Sequence, residues 1–281
     1  MRRVNILFNH PISRIIVGII TCLAVSFLFK EFLAKPILNL IFLDTEIAKI
    51  IQYLLSVIVM LLTYYVFFKY YEKRKILELE LNYLPREFSV GILSAFTLIA
   101  FFFIILNILG YYEILGVSKF SIFLLPLATL LLASCVEEIL FRGILYRILE
   151  SWIGTKWALI IPSIIFGVVH FTNENASVLG IIGATIGGLI LSIMFTYSRR
   201  LWLPIAFHLG WNFSQIIFGS KISGSDEYGI LLISKISGPE LIVGSSFGIE
   251  DSAIILLLSF ILFIYLYKKT ELKGLLIKPS W

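Results

Sequence analysis

Long apolar runs separated by short polar connections, many of them basic, set the pattern of this chain. Eight stretches approach the roughly 20 apolar residues that a membrane-crossing helix needs. They are residues 12–33, 49–70, 88–109, 121–149, 157–172, 178–198, 201–219 and 252–267. The apolar piece 36–43 is too short to span and predicts an interfacial segment or an extension of the first helix. The expected fold is all-α: a polytopic membrane helical bundle of about eight transmembrane helices, one membrane domain over 1–281. The opening Met1–Arg14 followed by Ile15–Phe29 has the outline of a signal peptide, but no small-x-small cleavage site follows. It reads as a retained first span.

Composition sharpens this reading. Hydrophobic residues make up 59% of the 281 and charged residues 15%, with a mean hydropathy of +0.97, far more apolar than a soluble domain. The net charge of +5 does not point to nucleic acid, because the cations sit in connections rather than on one patch. Arg2, Arg3 and Arg14 precede the first span, and Lys69 to Arg86 surround the link between the second and third. Arg147 and Lys156 fall between the fourth and fifth, Arg199 and Arg200 between the sixth and seventh, and Lys268 to Lys278 after the eighth. All five places fall on one side, so a multi-pass protein of the cell membrane with both termini cytoplasmic is expected. Cys22 and Cys135 both lie in apolar runs and read as packing residues. The polar insert 219–251 reads either as a flexible external lid or as a solvated connector with interfacial turns near Ile230–Ile233.

Candidate chemistry lies inside the spans. Glu137, Glu138, Arg142, His170, His208, Asn212 and Gln215 are the main polar residues there, and an ionised group at bilayer depth needs a compensating reason. Adjacent helical residues point about 100° apart, so Glu137 and Glu138 are expected to have different jobs. Glu138 precedes Arg142 by four, the favourable order for an ion pair along one face, which leaves Glu137 as the free acid. The midpoint between Glu137 and His170 falls between Ile153 and Gly154, within Trp152–Lys156. If that stretch is the turn of an antiparallel hairpin, acid and imidazole reach one depth, about 20–25 Å along their helices. Phe166 stands one turn before His170 and reads as packing. His208 and Asn212, also four apart, share a face of the seventh helix.

A carboxylate beside an imidazole can hold and deprotonate a water, while a second imidazole and a carboxamide can donate to an oxyanion. Those are the parts of an amide hydrolase that works through water. The zinc signature His-Glu-x-x-His is absent, yet Glu137, His170 and His208 would suffice as a three-ligand zinc site with an open position.

Glu137-Glu138-x-x-x-Arg142, Phe166-x-x-x-His170 and His208-x-x-x-Asn212, in this order on successive helices, resemble the three motifs of the CAAX protease and bacteriocin-processing (Abi) family of intramembrane metalloproteases. That family includes the Ras-converting CAAX endopeptidase. The resemblance covers residues 134–215 and implies a conical cavity formed by helices four to seven, with 121–219 as catalytic core. It implies that Glu137 and His170 activate water and that His208 and Asn212 stabilise the oxyanion, with Glu138, Arg142 and Phe166 supporting the site. It further implies a peptide or protein substrate, lipidated or membrane-embedded, and a bound zinc or a metal-independent glutamate mechanism. Cleavage is expected in the cytoplasmic half of the membrane. Two rival readings are a non-enzymatic immunity or peptide-sequestering protein and a proton or ion transporter.

Overall fold

The computed structural model describes residues 10–42, 45–119 and 123–279. The extreme N-terminus with Arg2 and Arg3, residue 43 of the short apolar piece and the start of the expected 121–149 span lie outside the described residues. Helix α1 runs over Pro11–Phe42 through a wider π-helical stretch at Phe29–Ala34, so the short apolar piece extends the first helix. Then come α2 (Glu46–Tyr71), α3 (Leu84–Ile108), β1 (Tyr112–Val117) and α4 (Leu124–Glu138). A second π-helical stretch, Ile139–Tyr146, leads into α5 (Arg147–Val169), followed by α6 (Val178–Ser198) and α7 (Trp202–Phe218). The chain closes with β2 (Leu232–Ile236) and α8 (Ala253–Leu272).

Among the described residues, six helical segments are long and apolar enough to cross a membrane, and one of them, Leu124–Thr172, spans 49 residues. That segment is two helices folded together. Gly154 sits at φ 78° inside it, and the rings of Phe141 and Phe166 lie 5.0 Å apart. A straight helix would separate those two by about 37 Å. The hairpin expected at Trp152–Lys156 therefore turns at Gly154. Glycine is required there: a Cβ would meet the backbone nitrogen of Pro279 at 2.8 Å, in a left-handed conformation that side chains avoid.

The outside of the bundle is apolar. Ile16, Ile20, Leu62, Leu93, Ile104 and Ile164 are each at least half exposed, as lipid-facing positions should be. Polar contacts concentrate inside and at the two ends. At one end Glu72 binds three arginines from three different segments: Arg14 at 2.5 Å, Arg74 at 2.6 Å and Arg147 at 2.9 Å. Burial alone would raise the Glu72 carboxyl, but Arg147, Arg14 and Arg74 hold it down at about 2. Glu78 is likewise held below the usual range: its burial is outweighed by Arg74, which it pairs with, and by Arg147. Arg199 with Glu150 and Arg200 with Glu87 complete this basic end.

The opposite end is built differently. β1 and β2 pair antiparallel, Tyr112 opposite Ile236 and Val117 opposite Leu232. The insert 219–251 is neither a free lid nor a solvated connector. Gly224 donates to the carbonyl of Phe247, Asn173 and Asn175 donate to the carbonyls of Ser223 and Gly224, and Ser177 donates to Asp251. Part of the expected turn at Ile230–Ile233 is the start of β2.

Candidate active site

Small residues let the site-bearing helices approach closely, which is how helices bind one another where lipid replaces water. A Cβ at Gly91 of α3 would lie 2.7 Å from the backbone nitrogen of Phe207, and one at Gly210 of α7 would lie 2.9 Å from Ile92 Cα. These two contacts bracket His208 and fix the height of α7. Similarly, Gly167 of α5 abuts the Ile181 carbonyl, and Gly188 of α6 abuts Ser163. They fix α5, and with it His170, which caps its end.

Glu137, His170, His208 and Asn212 all line one cavity of about 420 Å³. The two acids differ sharply in their surroundings. The Glu137 side chain is 35% exposed, whereas Glu138 is fully buried. Glu138 Oε1 accepts from Arg142 Nη1 at 2.8 Å and lies 2.9 Å from His208 Nδ1. Arg142 also donates to the Gly188 carbonyl at 3.0 Å. Glu138 therefore does more than neutralise Arg142, the role expected of it: it also holds His208. Sequence spacing revealed the i, i+4 partner but not a histidine 70 residues away. The π-helical stretch starting at Ile139, a distortion that often marks functional positions, was equally hidden.

The histidine tautomers follow from their partners. His170 Nδ1 lies 2.8 Å from the Phe166 carbonyl, which can only accept. Nδ1 is then the protonated nitrogen, and in the neutral ring Nε2 is left as a base. His208 Nδ1 lies 2.9 Å from Glu138 Oε1, with Nε2 placed 3.9 Å from Glu137 Oε2. That Nε2 is a donor only when the ring carries both protons. Phe166 is buried at the centre of the group. Its ring centroid lies 4.6 Å from that of His170, 6.2 Å from that of His208 and 4.7 Å from the Arg142 guanidinium carbon. Asn212 is only 9% exposed and makes no hydrogen bond with another described side chain, and Glu137 Oε2 is buried without a protein partner.

Glu137, His170 and His208 are the residues that would hold a zinc ion. Among the described residues no three His, Cys, Asp or Glu side chains converge closely enough to hold an ion. His208 faces Glu137 at 3.9 Å, against the roughly 3.3 Å that separates two tetrahedral donors on one zinc at 2.0–2.1 Å each.

Sequence reasoning missed the roof of the cavity. Glu250 accepts from Trp211 Nε1 at 2.9 Å and Gln215 Nε2 at 3.2 Å, both on α7. It also accepts from Ser223 N at 2.8 Å and Ser223 Oγ at 2.6 Å. One carboxylate thus ties the roof to the helix that carries His208 and Asn212. The available signal was the pair Glu250–Asp251 immediately before an apolar span. Glu174, Glu227 and Tyr228 also border the cavity. Burial first, then the carboxylates of Glu227 and Glu137, push the Tyr228 phenol above its usual range.

The loop at 173–174 and the roof at 222–228 line the cavity, at the end of the bundle remote from the arginine cluster. Within α7, His208 stands six residues from Trp202 at the basic end and ten from Phe218 at the other. α5 rises from the turn at Gly154, on the basic side, and delivers His170 only at its far end.

Residues 119–214 match the family model described as type II CAAX prenyl endopeptidase Rce1-like. Among curated proteins, a protein of Bacillus subtilis (strain 168) described as "Putative membrane peptidase YdiL" is 30% identical over 82 residues, 29% of this chain and 32% of that protein. The match thus spans about a third of the relative's length. No solved structure matches. The resemblance drawn from the three motifs is borne out over this segment, which contains all seven motif residues.

Proposed function

We propose, on the Rce1-like segment 119–214, that this protein is an intramembrane endopeptidase that cleaves a peptide bond with a water held by Glu137 and His170. The supporting observation is the convergence of two differently prepared groups on one cavity: a free carboxylate with a basic imidazole nitrogen, and a carboxylate-held imidazole with an unpartnered carboxamide. Water bound at His170 Nε2 loses a proton to Glu137 as its oxygen attacks the carbonyl carbon. Doubly protonated His208 and the Asn212 amide donate to the oxyanion that forms. Glu137 then passes its proton to the leaving amine nitrogen, the C–N bond breaks, and a carboxylic acid and an amine product remain. No step passes through a metal. The substrate is a peptide or protein, of the CAAX type or a processed peptide, reached within the bilayer. Both termini and the arginine cluster are cytoplasmic in this reading.

The test is Glu137→Gln, which keeps shape and removes the base. Peptide cleavage by purified protein should fall by at least about a thousandfold while the unfolding transition stays where it was, since general-base catalysis contributes about 10²–10⁴-fold. A variant that cleaves at the wild-type rate overturns the assignment.

A further inference from the structure

The polar ends of the bundle carry opposite chemistry, and the cavity belongs to only one of them. Arg14, Arg74 and Arg147 meet on Glu72 at one end. At the other end Glu174 and Glu227 line the cavity, and none of its lining residues is a lysine or arginine. Both carboxylates are exposed, and neither side chain is paired with a described cation. The roof lysine Lys221 is already engaged by Asp226 at 3.2 Å. Deeper in, the Asn212 amide, nine-tenths buried, lines the cavity with no hydrogen bond to another described side chain.

Membrane proteins keep their arginine- and lysine-rich connections on the cytoplasmic side. Clefts lined by charge of one sign concentrate ligands of the other. We infer that the cavity takes a positively charged peptide segment delivered from the extracytoplasmic face, and that Glu174 and Glu227 in its lining select it. The inference rests on the protease reading for what happens to the peptide, but not for the side of entry or the sign of charge.

Two measurements separate these. First, Glu227→Cys and Lys273→Cys proteins are treated in intact cells with a membrane-impermeant maleimide. The native Cys22 and Cys135, at 0% and 1% exposure, serve as silent background. Labelling of position 227 in intact cells, and of 273 only after permeabilisation, is expected; the reverse pattern overturns the side of entry. Second, fluorescent peptides differing only in lysine, glutamine or glutamate at the flanking positions are titrated onto the Glu137→Gln protein in detergent. The lysine peptide should bind at least tenfold more tightly than the glutamate peptide, and Glu174→Lys/Glu227→Lys should reverse the order. Equal affinities, or a preference untouched by the double reversal, overturn the selection. Because binding is read on an inactive variant, failure of the protease reading would show instead as intact binding with no cleavage by the wild type.

Discussion

Replacing Arg142 with methionine removes a charge while keeping a side chain of similar length. Arg142 is 1% exposed, and its two contacts, Glu138 Oε1 at 2.8 Å and the Gly188 carbonyl at 3.0 Å, are both buried. Breaking a buried ion pair from one side costs about 3–5 kcal/mol, because the remaining charge is left without compensation. The orphaned Gly188 carbonyl adds on the order of 1 kcal/mol. His208 offsets part of this, since it still reaches Glu138. A net loss of about 4 kcal/mol is expected, a large share of the 5–15 kcal/mol that holds a typical domain. Equilibrium unfolding in mixed micelles, with SDS as denaturant, measures it. The double variant Glu138→Gln/Arg142→Met, which removes both charges, should recover at least about 2 kcal/mol of that loss. A single variant that loses less than about 1 kcal/mol, or a double variant no better than the single, would refute the buried pair as a source of stability.

Three further outcomes are expected. Glu72 is held at about 2, down from 4.5, so its stabilisation is present above pH 4.5 and is lost as pH falls toward 2. With solvent screening at the membrane edge this amounts to on the order of 2 kcal/mol, and Glu72→Gln should flatten the acid limb of a stability–pH profile. Gly154→Ala should destabilise by at least about 1 kcal/mol in the same unfolding assay, because its φ of 78° and the Pro279 backbone at 2.8 Å both oppose a Cβ. Glu250→Ala frees the roof from Trp211, Gln215 and Ser223. It should raise KM and lower kcat together by roughly tenfold each, as loss of a positioning contact does, whereas Glu250→Gln should retain most of both.

Much of this protein was legible without coordinates, for definite reasons. Length and hydropathy of each apolar run are local properties, and a bilayer forces such runs into helices that satisfy their own backbone. The whole of 36–42 joining α1, and the turn at Trp152–Lys156 realised at Gly154, follow from that logic. Spacing of four along a helix likewise foretold the Glu138–Arg142 pair and the shared cavity of His208 and Asn212. The tertiary structure decided what depends on residues far apart in sequence. It put Glu138 on His208, set Phe166 among Arg142, His170 and His208, and tied the roof to α7 through Glu250. It also brought Glu174, Glu227 and Glu250 to the lining of the same cavity as the motif residues. A pattern of periods records which face a residue occupies on its own helix; which neighbour meets that face is fixed only when close-packed glycines set each helix at one height against the next.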